Sequence, residues 1–481
     1  MLPSKKINPH FLLFTAYVLS YFILRITASP FLDWDEAEQY INSRNFNLGD
    51  TQQPPFYSWI TRSLSIITND SIYALISVRY ICLYIFIIFL YLSIREFFTS
   101  KKSLILTLLI LALIPAYGYT INFKLTHSVL VFAMSSMTFY FYIKVLKKNS
   151  LLNFLLLGIS VGLGLISKYN FSFLLFALIL ASLCSKAARK AFLKPQIIIS
   201  IFSSLAIALP HYLWLYKNSE SAGNYLRERG AFKLAANTDY NYILNFFSLS
   251  FSAFSQMLIF TAFLMSLYFI GKFQKIGTFS TKLTYSDNKL GTTRKPTSSR
   301  LSLLSYISFF SYLIPVIIFL LCKSNKLLSG WLSVSHFITA ILIYMLFHKF
   351  SRIRFYKFSY RIALASIIFL FFIKYLWVFH PSIFSKVNTI NINYIAVINK
   401  LEKLNLKDKE IICDNQMIYA NLKILKPEWS LSYFKNKEDR VKAKKQIPDL
   451  KKQQVKVPYL HNKSHQDKNT TILFFLHNKL K

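Results

Sequence analysis

Acid is the scarce ingredient of this 481-residue chain. Its 20 aspartates and glutamates stand against 57 lysines and arginines, for a formal net charge of +37. Glycine is scarce as well, at 11, and cysteine numbers 4. Cys82, Cys184, Cys322 and Cys413 form no CxxC, and three of them fall in or beside apolar runs. That spacing excludes a disulfide framework and a cysteine zinc site. Charged residues make up 16% of the chain, where a soluble domain carries about 25%. Apolar residues fill the gap at 54%, in repeated runs of roughly 18 residues or more that mark bilayer-spanning helices. The length would suit two or three soluble domains. Here it reads as one polytopic membrane domain followed by a tail.

The spacing of the runs predicts an all-α membrane protein of about eleven spans, near 11–30, 72–94, 103–121, 126–144, 151–167, 169–185, 194–215, 249–271, 302–321, 328–347 and 361–379. The N-terminal run is long and lacks a small-x-small cleavage site, so it reads as a retained first helix. Basic loops set the orientation. "REFFTSKKS", "KVLKKNS", "SKAARKAFLK", a long "GKFQKIG…TTRKPTSSR" and "HKFSRIRFYKFSYR" alternate as the cytoplasmic side. The first loop (31–71), a loop at 216–248 and the C-terminus then face the exterior. The 272–301 segment, rich in Ser, Thr and Lys, reads as a flexible cytoplasmic linker. The transmembrane domain would thus occupy 1–380. A small exterior α/β domain would occupy 381–481, with strands in "KEIICDNQMIY" and "TTILFFLHN". The basic excess follows topology, together with a Lys-, Asn-, Ile- and Phe-rich composition of the kind an AT-rich genome encodes. Lysines scattered between spans do not make the basic face that nucleic-acid binding requires.

What acid there is gathers after the first helix. "FLDWDEAEQYINSRNFNLGDTQQPPFYSW" holds Asp33, Asp35, Glu36, Glu38 and Asp50. Asp35, Glu38 and Gln39 are spaced to share one face of a short helix. Carboxylates beside a bilayer are costly unless solvated or used, so the plain alternative is a solvated exterior loop. Pro54 and Pro55 fix a turn, and Phe56, Tyr57 and Trp59 suit the interface. The stretch reads as a shaped ledge that holds a general base beside lipid headgroups.

A phosphate leaving a sugar would need cations nearby. Lys168 in "GLGLISKYN", Arg227 and Arg229 in "YLRERG", and Arg44 are the candidates. A snorkelling lysine and solvated loop arginines are the alternatives. "DWD" has the DxD form that holds a divalent metal in soluble glycosyltransferases. Those enzymes take nucleotide sugars on Rossmann-like domains, which this chain lacks, so no cofactor is assigned and a divalent metal stays open.

Taken in order, "DEAEQY", "GDTQQPPFYSWI", "GLGLISKYNFSFLL" and "PHYLWLYKN" resemble the membrane glycosyltransferases of the C-type fold. The likeness is to the dolichyl-phosphate-mannose protein mannosyltransferases and the bacterial lipid A aminoarabinose transferases, over roughly residues 10–380. The resemblance implies a polyprenyl-phosphate sugar donor, an exterior active site and inversion at the anomeric carbon. It makes Asp35 the catalytic carboxylate with Glu36 beside it, and Lys168 a phosphate contact. Many relatives carry a second acidic residue where this chain has "KLTHSVL", with His127 at the position and Lys124 nearby. Gln53 stands where histidine is common. Glu38, Gln53, Tyr57 and His127 are therefore expected as acceptor or auxiliary residues.

The resulting expectation is a glycosyltransferase on the periplasmic face of a bacterial inner membrane. It would pass a sugar to lipid A, another glycolipid, a polysaccharide or a protein. A lipid-linked glycan flippase would place ionisable residues near the bilayer midplane, whereas these lie in exterior loops. A catalytically silent assembly protein is kept open by the missing second acid.

Overall fold

The structure, a computed structural model, describes residues 8–49, 53–69, 72–124, 126–219, 255–266, 298–322, 333–348, 355–380, 383, 389–403, 409–434, 451–458 and 469–478. Arg227, Arg229 and nearly all of the 272–301 segment lie outside the described residues. Helices dominate. α1 (Pro9–Ala28) precedes the short α2 (Trp34–Asn42). Then come α3 (Phe56–Ile67), α4 (Ile72–Arg95), α5 (Ser100–Leu113), α6 (Thr126–Lys147), α7 (Leu151–Leu165), α8 (Phe171–Cys184), α9 (Lys186–Phe192) and α10 (Ile197–Lys217). Long helices at Ser298–Cys322 and Phe355–Phe379 follow. The protein is a multi-pass membrane protein. Among the described residues six helices are long and apolar enough to cross a bilayer, or seven with the bent pair α8–α9 taken as one span.

The eleven expected spans exceed that number because several apolar runs fold as shorter helices, and because the expected spans at 249–271 and 328–347 lie partly outside the described residues. The run at 103–121 is helical to Leu113 and turns at Pro115 into the short π-helical Ala116–Thr120. The runs at 151–167 and 169–185 become α7 and α8, of 15 and 14 residues, each short of the ~20 residues that cross a hydrocarbon core unaided.

Two compact units divide the chain. One takes Met1–Val18, Asn47–Tyr57 and Ile81–Leu370; the other takes Leu19–Phe46, Ser58–Tyr80 and Phe371–Lys481. In the first, scarce glycine is spent on helix contact. Gly158 and Gly162 lie one turn apart on α7 against α10. A Cβ at Gly158 would stand 2.0 Å from Ser203 Oγ, and one at Gly162 would stand 2.8 Å from Ile207 Cβ. Small residues at this spacing let two backbones approach where lipid supplies no hydrophobic drive.

The second unit holds a four-stranded sheet, β1 (Lys409–Cys413), β2 (Leu431–Tyr433), β3 (Lys451–Pro458) and β4 (Asn469–Asn478), in the order β2-β1-β4-β3. β1 pairs parallel with β2 and antiparallel with β4. "TTILFFLHN" is β4, as expected. "KEIICDNQMIY" splits: the strand ends at Cys413 and a helix, Gln416–Leu425, begins. Asn415 explains the break, because its side chain accepts from the amides of Met417 and Ile418, both at 3.1 Å, a strong helix start. This region does not fold apart from the first loop. Phe31, Leu32, Ala37 and Leu75 share one buried core with Tyr394, Val397, Leu401, Ile411, Met417 and Leu422.

Candidate active site

In the second unit the site begins as a helix start. Asp33 is the N-cap of α2. Glu36 N–H donates to Asp33 Oδ1 at 2.7 Å, and Asp33 N–H donates to Glu36 Oε2 at 3.0 Å. This reciprocal box satisfies two amides that a helix end leaves open. It also aims the Glu36 carboxylate inward, where two arginines meet it. Arg25 Nε donates to Oε1 at 3.0 Å and Arg25 Nη2 to Oε2. Arg79 Nη1 lies 3.2 Å from Oε1, and Arg79 Nη2 lies 3.5 Å from Asp33 Oδ2. All four side chains are buried, so two cations balance two anions away from water. Buried charges persist when paired this way.

Burial pushes the Glu36 carboxyl up, but Arg25 and Arg79 together outweigh it and hold the group below its ordinary range. Asp33 goes the other way. Burial first, then the charge of Glu36, raises it, and Arg79 offsets only part. Asp33 therefore has one oxygen committed to the cap and the other to Arg79, which leaves the first position of "DWD" unsuited to a metal. Among the described residues no three His, Cys, Asp or Glu side chains gather as a metal site would need.

Asp35 sits between these two fixed residues, on the first turn of α2, where the helix dipole favours negative charge. Unlike Asp33 and Glu36 it is only partly buried. Glu38 is partly buried too, whereas Gln39 turns into the interior and accepts from Ser58 Oγ at 3.0 Å. The shared face of Asp35, Glu38 and Gln39 thus does not present all three outward. Arg44 is exposed past the end of α2. Its guanidinium lies over the Tyr40 ring, 4.2 Å from the centroid, and donates to the Tyr40 hydroxyl.

The first unit carries a second cluster. Pro54 and Pro55 are buried and half-buried Gln53 precedes them. The turn delivers Phe56 N–H to the carbonyl of Ile166 at 3.1 Å, so α3 starts against the turn that contains Lys168. Tyr57 is fully buried, with its ring 5.3 Å from that of His127, so its side chain faces protein. His127 is itself buried on the first turn of α6. The next residue, Ser128, accepts from Lys168 Nζ at 2.7 Å. Lys168 is partly buried, as is Tyr169, which stacks on His211. His211 Nδ1 in turn meets the carbonyl of Leu48 at 2.7 Å. Tyr57, His127, Ser128 and Lys168 thus gather in one polar cluster, and His211 holds the chain ahead of the Pro-Pro turn at Leu48.

Sequence reasoning missed Arg25, Arg79, Ser128 and His211. The two arginines had a signal: each interrupts an apolar run flanking the acidic loop, and a charge inside a span marks a partner.

The family model for dolichyl-phosphate-mannose-protein mannosyltransferase matches residues 52–214. That stretch takes in Gln53, Tyr57, His127, Lys168 and His211 and begins after Asp35. Two lipopolysaccharide core galacturonosyltransferases of Rhizobium johnstonii, RgtB and RgtA, are each 33% identical to this chain, over 232 and 215 residues. The alignments cover 47% and 45% of this chain and 46% and 43% of those proteins; the chain spans about half the length of the curated relatives it matches. The crystal structure of ArnT from Cupriavidus metallidurans in the apo state superposes with a TM-score of 0.50 at 12% identity, covering 72% of this chain and 61% of that one.

Proposed function

We propose that this chain, a multi-pass membrane protein with the fold of the C-type glycosyltransferases, transfers a sugar from a polyprenyl phosphate to a glycolipid of the cell envelope. The reaction would take place on the periplasmic face of the inner membrane. The observation that carries the reading is Asp35, a partly exposed carboxylate on a helix start whose two flanking acids are locked by Arg25 and Arg79. The family description supports a polyprenyl-phosphate donor. The names of the two relatives favour a galacturonosyl unit and a lipopolysaccharide core acceptor over a protein.

In this reading Asp35 takes the proton of an acceptor hydroxyl. The oxygen attacks the anomeric carbon from the face opposite the phosphate, the bond from that carbon to the phosphate oxygen breaks, and configuration inverts. General-base catalysis of this kind contributes on the order of 10² to 10⁴-fold. The departing phosphate gains charge, and Lys168, held by Ser128, supplies the counter-charge. Glu36, expected beside Asp35 as a second catalytic acid, takes a supporting role here, because its carboxylate is bound to Arg25 and Arg79. His127 and Tyr57 pack together beside Lys168. Arg44, Arg227 and Arg229 remain secondary phosphate contacts.

The test is reconstitution with undecaprenyl-phosphate galacturonic acid and lipopolysaccharide, read by mass spectrometry as the gain of one sugar. In parallel, lipopolysaccharide from a deletion strain is weighed with and without the wild-type or Asp35→Asn gene. We expect the deletion to lose one sugar, wild type to restore it and Asp35→Asn to fail while remaining folded. Full activity of Asp35→Asn would overturn the role of Asp35, and an unchanged lipopolysaccharide in the deletion strain would overturn the acceptor.

A further inference from the structure

The five residues that join α1 to α2 have no regular secondary structure, yet side chains bond most of their backbone polar groups. Arg25 Nη1 donates to Ser29 O at 2.9 Å and Arg25 Nη2 to Phe31 O at 2.7 Å. Phe31 N–H donates to Ser29 Oγ at 3.1 Å, and Asp33 N–H is taken by Glu36. Leu32 between them is fully buried, and its partner comes from 389 residues away. Leu32 N–H donates to Asn421 Oδ1 at 2.8 Å, and Asn421 Nδ2 donates to Leu32 O at 3.1 Å. The amide pairs with the peptide as one strand residue pairs with another.

Asn421 has no local reason to be there. It lies within the helix Gln416–Leu425 and is 1% exposed, in a core of Leu32, Tyr394, Ile418 and Leu422. Asparagine is a poor helix former, and a buried amide is costly unless its capacity is filled. Here it is filled: Nδ2 donates to Leu32 O and to Met417 O, while Oδ1 accepts from Leu32 N–H. Nδ2 meets two carbonyls and Oδ1 meets an N–H, with the Tyr394 hydroxyl beside the amide as well, and swapping oxygen and nitrogen would set the oxygen against both carbonyls.

We infer that Asn421 is a positioning residue for Asp35: the C-terminal region fixes the start of α2 through a side-chain amide bonded to both polar groups of Leu32. The inference rests on the reading of Asp35 as the base. Leu32 precedes the N-cap Asp33, and Asp35 follows by two residues. Slack at Leu32 therefore becomes a displacement of the Asp35 carboxylate, while donor contacts elsewhere are untouched.

Two substitutions test this. Asn421→Leu keeps the bulk and removes both bonds. Asn421→Asp keeps the acceptor for Leu32 N–H, but only its protonated form can also donate to Leu32 O. Tyr394 and Cys413 share this core, and burial raises both the phenol and the thiol, so both stay protonated through the neutral range. Asp33, Glu36 and Arg25, the charged or ionisable groups bonded around Leu32, are common to wild type and variant. The ratio of variant to wild-type rate therefore isolates the introduced acid.

Turnover is measured in washed membranes of the native host, which supply donor and acceptor, and is normalised to the monodisperse fraction of each protein. We expect Asn421→Leu to lose turnover on the order of 10²-fold, the cost of about 1 Å of misplacement, with half-saturating donor changed less than about threefold. We expect the Asn421→Asp ratio to rise as pH falls from 8 to 5.5, and deuterium uptake at residues 33–39 of that variant to fall in parallel. A pH-independent ratio with wild-type uptake at every pH overturns the inference, whether or not Asn421→Leu folds. Wild-type turnover by Asn421→Leu overturns it as well. Asp35→Asn is run alongside: if it is inactive and the Asn421 variants behave as wild type, only the positioning role falls, whereas an active Asp35→Asn removes the reading beneath it.

Discussion

Lys168 donates to Ser128, and the residue before that serine is His127, whose ring lies against Tyr57. The lysine is thus aimed by α6 rather than left to reach for the bilayer surface. A lysine that only snorkels tolerates glutamine. One that neutralises a departing phosphate does not.

Lys168→Gln should therefore cut transfer strongly and weaken donor binding. Lys168→Arg should be intermediate, because a planar fork presents its donors differently from an ammonium. Ser128→Ala should give a smaller loss of the same kind. Donor titrations and single-turnover rates in nanodiscs check all three. Wild-type behaviour of Lys168→Gln would move the phosphate site to the arginines at 227, 229 or 44.

Removing one arginine of the buried quartet should cost more than removing a matched pair. Arg79→Met leaves Asp33 and Glu36 facing a single cation, a loss of about 3–5 kcal/mol for breaking a buried pair. Adding Asp33→Asn restores the charge balance and should recover part of it. Thermal unfolding midpoints in detergent for the two single variants and the double variant measure the coupling. Strict additivity would show that the four groups do not act together.

The pH dependence of stability carries the mark of Asp33. Its carboxyl is raised on folding, by burial and then by Glu36. A raised acid contributes its full stability below about pH 4, the unfolded aspartate value, and loses it as pH rises through the raised folded value. Glu36, held low, behaves oppositely: its contribution is present above about pH 4 and is lost as pH falls through its depressed value. Asp33→Asn keeps a good cap and removes the first titration. Wild-type stability relative to this variant should therefore fall with rising pH from about 4 upward and then level off. Unfolding midpoints of both proteins between pH 4.5 and 8 test this; parallel curves would refute it.

Gly49→Ala should loosen the approach to α3. A Cβ there would stand 2.7 Å from His211 Nδ1 and 2.9 Å from Trp214 Cζ3. The His211 ring cannot yield freely, since it is buried, stacked between Tyr169 and Trp214 and bonded to Leu48 O. Overpacking of this kind costs about 1–3 kcal/mol. Combining Gly49→Ala with His211→Ala should cost less than the sum of the two, which a double-mutant cycle of unfolding midpoints reads directly.

The features legible in the sequence were those made by neighbours in the chain. Apolar runs gave the membrane helices, and the spacing of Asp35, Glu38 and Gln39 gave the short helix of the acidic loop. The order of acidic loop, Pro-Pro turn and Ser-Lys-Tyr segment marked the fold. The features that escaped depend on partners far along the chain. Nothing local says that Glu36 faces Arg79, that Ser128 receives Lys168, or that Asn421 closes on Leu32. The helix after Cys413 was hidden for another reason. Its apolar residues read equally well as strand, and only the cap at Asn415 decides between the two.

The bond between Leu32 and Asn421 also sets an order of events during synthesis. At the ribosomal pace of about 5–20 residues per second, 389 residues take roughly 20–80 s. For that interval the nascent α2 has left the ribosome without the amide its preceding residue needs, and without the core that Tyr394 and Leu422 complete. Contacts of such long sequence separation form late. A chain interrupted before residue 421 would carry the acidic loop with its arginines and still lack the two bonds that hold Leu32, so the proposed positioning of Asp35 would be complete only once the C-terminal region has been made.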